Sequence, residues 1–344
     1  MIKLKSLPKI SVCIPVFNSE ATLFRTLESL PPQTFTEWEC IIVNDGSNGK
    51  DLYQNDCKKI VTRFRKKYKF PKNKILYIEH RKNLGLLEAR RSAVFAASAQ
   101  YICILDSDDE LLPESLEFLY KAAQKSDADI VHGASEILYD KKNCSEEILM
   151  RASSIEKKAN NIYEGELLNQ GIFDGFLVKS NHSGFLWGKL FRRELYLKAL
   201  SYIPFSNCVF AEDFLQYFFI SLFAKKYTGI ENNVYRYYID SGISSFSKIE
   251  DLQKWQKISS TANVFTILFS VIKEFSPGTF SQNQMEALRS FSKSYLANNL
   301  KQLNEAVDEK IKTEARQMLC DYWGEDFVEY IEENTCLNPA REQQ

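Results

Sequence analysis

The stretch Tyr101-Ile-Cys-Ile-Leu-Asp106-Ser-Asp108-Asp109 constrains this chain most. An apolar run this short and this β-branched favours a buried strand over a helix. Three carboxylates then arrive at once, where such a strand would leave its sheet. In an open parallel sheet the carboxyl edge of the strands is where ligands bind. Acids crowded there repel one another, so a positive partner is expected. A divalent cation fits, because Mg²⁺ takes one or two carboxylates together with substrate phosphate oxygens. The competing reading is a solvated turn that caps the next helix, since Asp is common at caps. Spacing alone leaves both open.

The pattern of strand, acid and helix recurs along the first part of the chain. Ile10-Ser-Val-Cys-Ile14 reads as a buried strand stopped by Pro15, and Asn18 or Ser19 is placed to cap a helix carrying Leu23, Leu27 and Leu30. Trp38-Glu-Cys-Ile-Ile-Val43 is a second strand, closed by Asn44-Asp45-Gly46-Ser47. A long helix is predicted next, with Tyr53, Cys57, Ile60, Val61, Phe64 and Tyr68 on its apolar face and Lys and Arg dense between 58 and 74. Ile75-Leu-Tyr-Ile78 leads to His80-Arg-Lys-Asn83-Leu-Gly85 and an alanine-rich helix with Arg90 and Arg91. Asp129-Ile-Val-His-Gly133 is a fifth strand. Such alternation implies an α/β fold, a mostly parallel sheet flanked by helices, with right-handed crossovers. Residues 140–179 are mixed and polar, read as loops or an insertion. Beyond about residue 247 the chain reads as all helical.

Composition narrows the function. A net charge of -1 over 344 residues argues against a general nucleic-acid binder. No apolar run reaches the roughly 18 residues of a membrane span, and the N-terminus lacks a signal-peptide pattern, so a cytoplasmic protein is expected. The eight cysteines occur singly with no C-x-x-C pair, as in a reduced protein with buried thiols. Only three histidines, at 80, 132 and 182, exclude a histidine-rich metal site.

Asp45, Asp106, Asp108 and Asp109 would share one sheet edge, and Glu212-Asp213 opens an apolar helix running to Ala224. This set suits a nucleotide diphosphate with a metal. Asp108 could hold the cation. Asp45 could accept hydrogen bonds from a base or ribose, and Arg90 could meet the base or a phosphate. The 212–213 pair could deprotonate an attacking hydroxyl, or merely place negative charge at a helix N-terminus. Asp127-Ala-Asp129 precedes a strand, so it falls on the opposite edge as a helix exit. The phosphate-binding G-x-G-x-x-G and Walker patterns are absent, as is G-x-S-x-G, which disfavours dehydrogenase, ATPase and α/β-hydrolase readings.

Four motifs in order, Ile14-Pro15-Val16-Phe17-Asn18-x-Glu20, Val43-Asn44-Asp45-Gly46-Ser47, Asn83-x-Gly85-x-x-x-Ala89-Arg90 and Leu105-Asp106-Ser107-Asp108-Asp109, resemble the inverting family-two glycosyltransferases of the GT-A fold. Trp187-Gly-Lys-Leu-Phe-Arg192, Glu212-Asp213 and the 235–245 stretch look like that family's second half, so the resemblance spans roughly residues 9–246. It implies a GT-A, Rossmann-like domain at 1–246, with a nucleotide-binding half (1–135) and an acceptor half (136–246), followed by a helical region at 247–344. It also implies transfer from a nucleotide-sugar donor, UDP-sugar in expectation, to a glycan or lipid-linked glycan in surface polysaccharide synthesis. Pro15, Phe17 and Glu20 would line the nucleoside pocket. Asp45 would contact the base with support from Arg90, and Asn83 and Ser107 belong to the same donor-binding set. Asp106 would approach the ribose, and Asp108 would hold Mn²⁺ or Mg²⁺ in this DXD motif. Asp213 would be the catalytic base, with Glu212 beside it. Trp187 would floor the sugar and acceptor site, and residues 236–245 would close over the diphosphate. Two positions depart from the family pattern: Phe17 stands where tyrosine is common, and the 238–240 region lacks a histidine that serves some relatives as a metal ligand. A non-catalytic scaffold subunit and a nucleotidyltransferase are the alternatives, the latter lacking its phosphate loop here.

The basic 58–74 face could touch anionic lipid, giving peripheral contact with the inner face of a plasma membrane, or could simply be solvated. The sequence leaves sugar, acceptor and oligomeric state open.

Overall fold

The computed structural model describes residues 7–140, 144–206, 208–239 and 248–336. The chain divides into two compact units, Met1–Asn207 with Gln216–Ile243, and Cys208–Leu215 with Ser244–Gln344.

The first unit is built on β1 (Ile10–Val16), α1 (Glu20–Glu28), β2 (Trp38–Asn44), α2 (Cys57–Tyr68), β3 (Ile75–Glu79), α3 (Leu86–Ala96) and β4 (Tyr101–Ile104). Then follow β5 (Glu110–Leu111), α4 (Ser115–Ser126), β6 (Ile130–Leu138), α5 (Glu146–Ala159), β7 (Gly165–Leu168), α6 (Gln170–Leu177), β8 (Lys189–Arg192) and α7 (Arg193–Ser201). Helix α8 (Glu212–Phe223), whose residues up to Leu215 group with the second unit, and β9 (Lys226–Tyr238) complete the α/β part. All the strands form one sheet in the order β3-β2-β1-β4-β8-β6-β9-β5, with β7 on β9. The β3-β2-β1-β4 side is wholly parallel, and its residues are Val-, Ile- and Cys-rich because both faces are covered. Ile10, Val12, Ile14, Leu23, Leu27, Cys40, Ile42, Ile60 and Phe64 are buried together in that core. Buried thiols behave as small apolar groups here, and burial pushes Cys103 up to about 12.

Register brings the carboxyl ends level. Val16 pairs with Asn44, Asn44 with Glu79, and Cys13 with Ile104. Chain order reverses between β1 and β4, so the crevice outside their carboxyl ends is the switch point of the sheet. Strand β8 enters antiparallel beside β4 and β6.

Several local expectations are corrected. Tyr53 does not extend α2: Asp56 caps that helix by accepting from the Lys59 amide at 2.8 Å, and Tyr53 lies outside it. Ser19 sits at the N-cap of α1 without a capping bond, because its hydroxyl is engaged elsewhere. The 140–179 stretch is not loops alone but holds α5, β7 and α6. Asp127 and Asp129 do lie at the exit of α4, where both meet Arg192, at 2.7 and 2.8 Å.

The second unit contains α9 (Leu252–Ser259), α10 (Ala262–Ile272), α11 (Gln282–Glu305), α12 (Lys312–Trp323) and α13 (Glu325–Cys336). Trp255, Leu296, Leu300, Leu319 and Val328 form its core. Phe214 packs against Phe291, with ring centroids 5.0 Å apart. Among the described residues no helix is long and apolar enough to cross a membrane.

Candidate active site

Loops 17–19, 45–56, 80–85 and 105–109 leave adjacent strand ends at the switch point, and hydrogen bonds fasten them together. The Asn18 amide donates to Ser47 Oγ at 3.0 Å, and the Asn48 amide to Asn18 Oδ1 at 3.2 Å. Ser19 and Ser107 hydroxyls meet at 2.6 Å across the β1–β4 gap. Thr22 donates to the Ser107 carbonyl at 3.0 Å, and Arg25 to the Asp108 carbonyl at 2.5 Å. The acid loop is thus held from one side by α1.

From the other side it is held by β9. The Asp106 amide donates to the Tyr235 hydroxyl at 3.1 Å, and that hydroxyl donates to Asp109 Oδ2 at 2.8 Å. The Tyr238 amide reaches Asp109 Oδ1 at 2.9 Å. Asp109 is therefore a buried anchor and not the helix cap, a place taken by Glu114. Burial first, then Asp108 and Asp106, push its carboxyl well above the usual range. Asp106 and Asp108 stay partly exposed. Arg90, with a side chain only 1% exposed, donates to Asp106 Oδ1 at 3.1 Å. Two partly exposed carboxylates at a sheet edge are the oxygen donor set that Mg²⁺ or Mn²⁺ accepts beside phosphate oxygens. Among the described residues no three His, Cys, Asp or Glu side chains converge as a complete cage.

Asp45 has a heavier structural task than its sequence position suggests. Its Oδ1 accepts from His80 Nδ1 at 2.6 Å and the Leu84 amide at 2.9 Å. Its Oδ2 accepts from Asn83 Nδ2 at 3.0 Å and the Gly85 amide at 2.9 Å. A carboxylate offers about four lone-pair sites, and all are filled within the protein. The other ring nitrogen of His80 meets Ser92 Oγ at 2.9 Å. Gly46 crosses the same turn with φ +72, where an added Cβ would lie 2.5 Å from the Lys82 carbonyl carbon.

Pro15 and Glu20 are buried and Phe17 is partly exposed. Cys57 donates to Glu20 Oε1 at 3.2 Å, and Gly49 passes so close that a Cβ would lie 2.3 Å from Glu20 Oε2. Trp187, 5% exposed, lies within a ring ladder: Phe185, Tyr235 and Tyr237 have centroids 4.7, 5.0 and 5.2 Å away. The structure therefore brings Pro15, Phe17, Glu20, Asp45, Asn83, Arg90, Asp106, Ser107, Asp108 and Trp187 into the first unit. Glu212 and Asp213 group with the second unit, where burial raises the Tyr295 phenol and the two acids add to that rise. Arg236, on β9, pairs with Glu110 at 3.2 Å and Glu136 at 3.0 Å. Residues 240–245 of the expected closing segment lie outside the described residues.

Sequence reasoning missed His80, Thr22, Arg25, Asp109 and Tyr235 as organisers of these loops. Asp109 and His80 stand inside stretches that the sequence singles out and Tyr235 opens another, whereas nothing in the sequence marks Thr22 or Arg25.

Comparison with known proteins agrees with this architecture. The sequence profile of Glycosyl transferase family 2 matches residues 11–185. The cholesterol galactosyltransferase of Borreliella burgdorferi is 30% identical over 239 residues, covering 70% of this chain and 62% of that protein. Glycosyltransferase GlyA of Streptococcus pneumoniae is 28% identical over 247 residues, covering 72% of this chain and 32% of that protein. The matched part of the chain thus spans less than two thirds of either relative. Among solved structures, S. aureus TarS 1-349 in complex with UDP-GlcNAc aligns with TM-score 0.53 at 17% identity, covering 95% of this chain and 92% of its own. The mannosyltransferase PcManGT from Pyrobaculum calidifontis, in complex with GDP-Man and Mn²⁺, aligns with TM-score 0.51 at 14% identity, covering 98% of this chain and 89% of its own. At such identities the likeness is one of fold.

Proposed function

The chain belongs to glycosyl transferase family 2, and from that premise we propose that it moves a sugar from a nucleotide diphosphate-sugar, of the UDP class, to a hydroxyl of a glycan or lipid-linked glycan in cell-surface polysaccharide synthesis. The observation that carries this reading is the acid loop 105–109, pinned by α1 on one side and β9 on the other at the switch point of the sheet. Such pinning keeps mutually repelling carboxylates in place before any ligand arrives, which a solvated cap has no reason to do.

In this reading Pro15, Phe17 and Glu20 line the nucleoside pocket, and the Phe17 ring stacks on the base. Asp45, its acceptor sites already filled, serves the base by holding the Asn83–Gly85 turn closed beside it. Arg90 fixes the Asp106 carboxylate toward the ribose, and Ser107 completes that wall. Asp108 would hold Mn²⁺ or Mg²⁺, with Asp106 close in sequence. When bound, the cation supplies neutralisation of the charge that develops on the diphosphate. The acceptor hydroxyl attacks the anomeric carbon from the face opposite the diphosphate, its proton passes to Asp213, the bond to the diphosphate oxygen breaks, and the configuration inverts. Glu212 stands next to the base. Trp187, wedged in its ring ladder, gives the sugar a rigid floor. The site of action is the cytoplasm, where nucleotide sugars are made.

A panel of nucleotide sugars, assayed for donor hydrolysis and transfer with and without Mn²⁺, tests the reading. Turnover of one donor, stimulated by the metal, is expected. Absence of both binding and turnover across the panel would remove it. Asp213→Asn should abolish transfer while leaving nucleotide binding intact, and near-normal transfer would take Asp213 out of the role.

A further inference from the structure

Helix α2 and the loop before it form a surface that the proposed reaction does not use. The sequence places Tyr53 on the apolar face of a helix, yet the helix begins at Cys57 and leaves Leu52 92% and Tyr53 75% exposed. Lys58, Lys59, Arg63 and Lys66 are exposed on the outer face of α2. The Arg63 guanidinium lies 5.4 Å from the centre of the Tyr53 ring, so the apolar tip and the cations share one surface. Neighbouring cations are already occupied: Lys67 pairs with Glu28, and Arg65 donates to the Ile75 carbonyl. Lys58, Lys59, Arg63 and Lys66 make no salt bridge among the described residues. The nearby acids have local duties, Asp56 capping α2 and Asp51 accepting from the Tyr53 and Asn55 amides. The chain's net charge of -1 makes this a local excess and not a general basicity.

We propose that Leu52, Tyr53 and the Lys58–Lys59–Arg63–Lys66 face dock the protein on an anionic phospholipid surface. A soluble polyanion would satisfy the cations but offer nothing to an exposed leucine. A membrane interface takes both: the cations meet the headgroups, the tyrosine sits at headgroup level, and the leucine enters the acyl boundary. A stripe of point charges also needs no shape-matched partner, which suits a fluid array of headgroups. The placement is informative too. The loop that carries Leu52 and Tyr53 also carries Ser47 and Asn48, bonded to Asn18, and passes Glu20 at Gly49. Docking there sets the rim of the switch-point crevice beside the bilayer, where an acceptor carried on lipid would meet it. That last consequence rests on the sugar-transfer reading, but the docking itself does not.

Flotation of the full chain with phosphatidylcholine vesicles, with and without phosphatidylglycerol, tests the proposal. The wild type should float only with the anionic vesicles, and less as salt rises. Reversal of all four cations (Lys58→Glu, Lys59→Glu, Arg63→Glu, Lys66→Glu) should lower binding at least about tenfold, and Leu52→Ser with Tyr53→Ser should lower it severalfold. Thermal unfolding and UDP binding of the variants control for fold. Equal flotation of wild type and charge-reversed protein, equal binding to neutral vesicles, or retention on a soluble polyanion without flotation would each overturn it. Loss of UDP binding in the wild type would count against the transfer reading alone, since flotation would still decide the docking.

Discussion

Tyr235 and Asp109 meet hydroxyl to carboxylate at 2.8 Å, and the same hydroxyl accepts the Asp106 amide at 3.1 Å. One phenol on β9 thereby fixes both ends of the acid loop, and both partners are buried or nearly so. Tyr235→Phe keeps the ring in its ladder with Trp187 but strips a buried carboxylate and an amide of their partner. The expected cost is about 1–3 kcal/mol of stability, read as a lower urea midpoint, together with weaker binding of UDP in the presence of Mn²⁺. Wild-type stability and wild-type nucleotide affinity in the variant would show that the acid loop does not depend on the Tyr235 hydroxyl.

Asp45 gives a second test, because its four acceptor positions are satisfied by His80, Asn83 and two backbone amides. Asp45→Asn turns one acceptor atom into a donor that faces another donor. The 80–85 turn should open, lowering stability by about 1–3 kcal/mol and nucleotide affinity with it. Calorimetric titration of UDP, set beside chemical denaturation, separates the two losses. An unchanged denaturation midpoint would mean that the turn does not depend on this carboxylate.

Gly46 and Gly278 make a matched pair. Both have positive φ, +72 and +84, but a Cβ at Gly46 would lie 2.5 Å from backbone whereas Gly278 has nothing within 4 Å. Gly278→Ala should cost only the left-handed strain, about 1–2 kcal/mol. Gly46→Ala adds a clash with an immovable carbonyl carbon and should cost clearly more, with loss of nucleotide binding. Equal shifts in thermal midpoint for the two variants would remove the close approach of the 45–47 and 82–83 segments as a constraint.

These tests also mark where the sequence was readable. The parallel core was legible because β1, β2 and β4 are mainly apolar runs, interrupted inside only by Ser11 and Glu39, between helices of clear period, and the acids after them stand at strand ends by simple counting. Strands β5, β7 and β8 were not legible: β5 has two residues, β7 is largely exposed, and β8 lies in a short basic-aromatic stretch with no alternation. Ser19 holds the N-cap position that the sequence offered, but its hydroxyl bonds Ser107, 88 positions away in sequence, and not the local cap amide. Tyr53 misled because the Asp56 cap outcompeted helical spacing. Asp109 and Tyr235, 126 positions apart, are joined only by the sheet.

Two histidines away from the crevice should govern acid stability. His132 Nδ1 meets the Tyr227 hydroxyl at 2.9 Å, and His182 Nδ1 meets Asn181 Oδ1 at 2.9 Å with its ring 4.7 Å from that of Tyr227. Lys189, wholly buried, donates to the Phe185 carbonyl at 2.6 Å. Burial first and Lys189 second push His182 from the usual 6.5 to about 3, and burial also holds His132 well below its usual value. Both are therefore neutral when folded across the range in which the unfolded chain takes up protons. Above about pH 6.5 neither state is protonated and these groups leave stability unchanged. As pH falls from 6.5 toward 3 the unfolded state binds more protons, so stability drops by up to about 1.4 kcal/mol per pH unit for each histidine. His182→Phe, which keeps a ring among Phe176, Tyr217 and Tyr227, should reduce the loss between pH 7 and pH 5 by up to about 2 kcal/mol relative to wild type. Urea unfolding at the two pH values measures this directly, and an equal loss in both proteins would mean that His182 is protonated in the folded state.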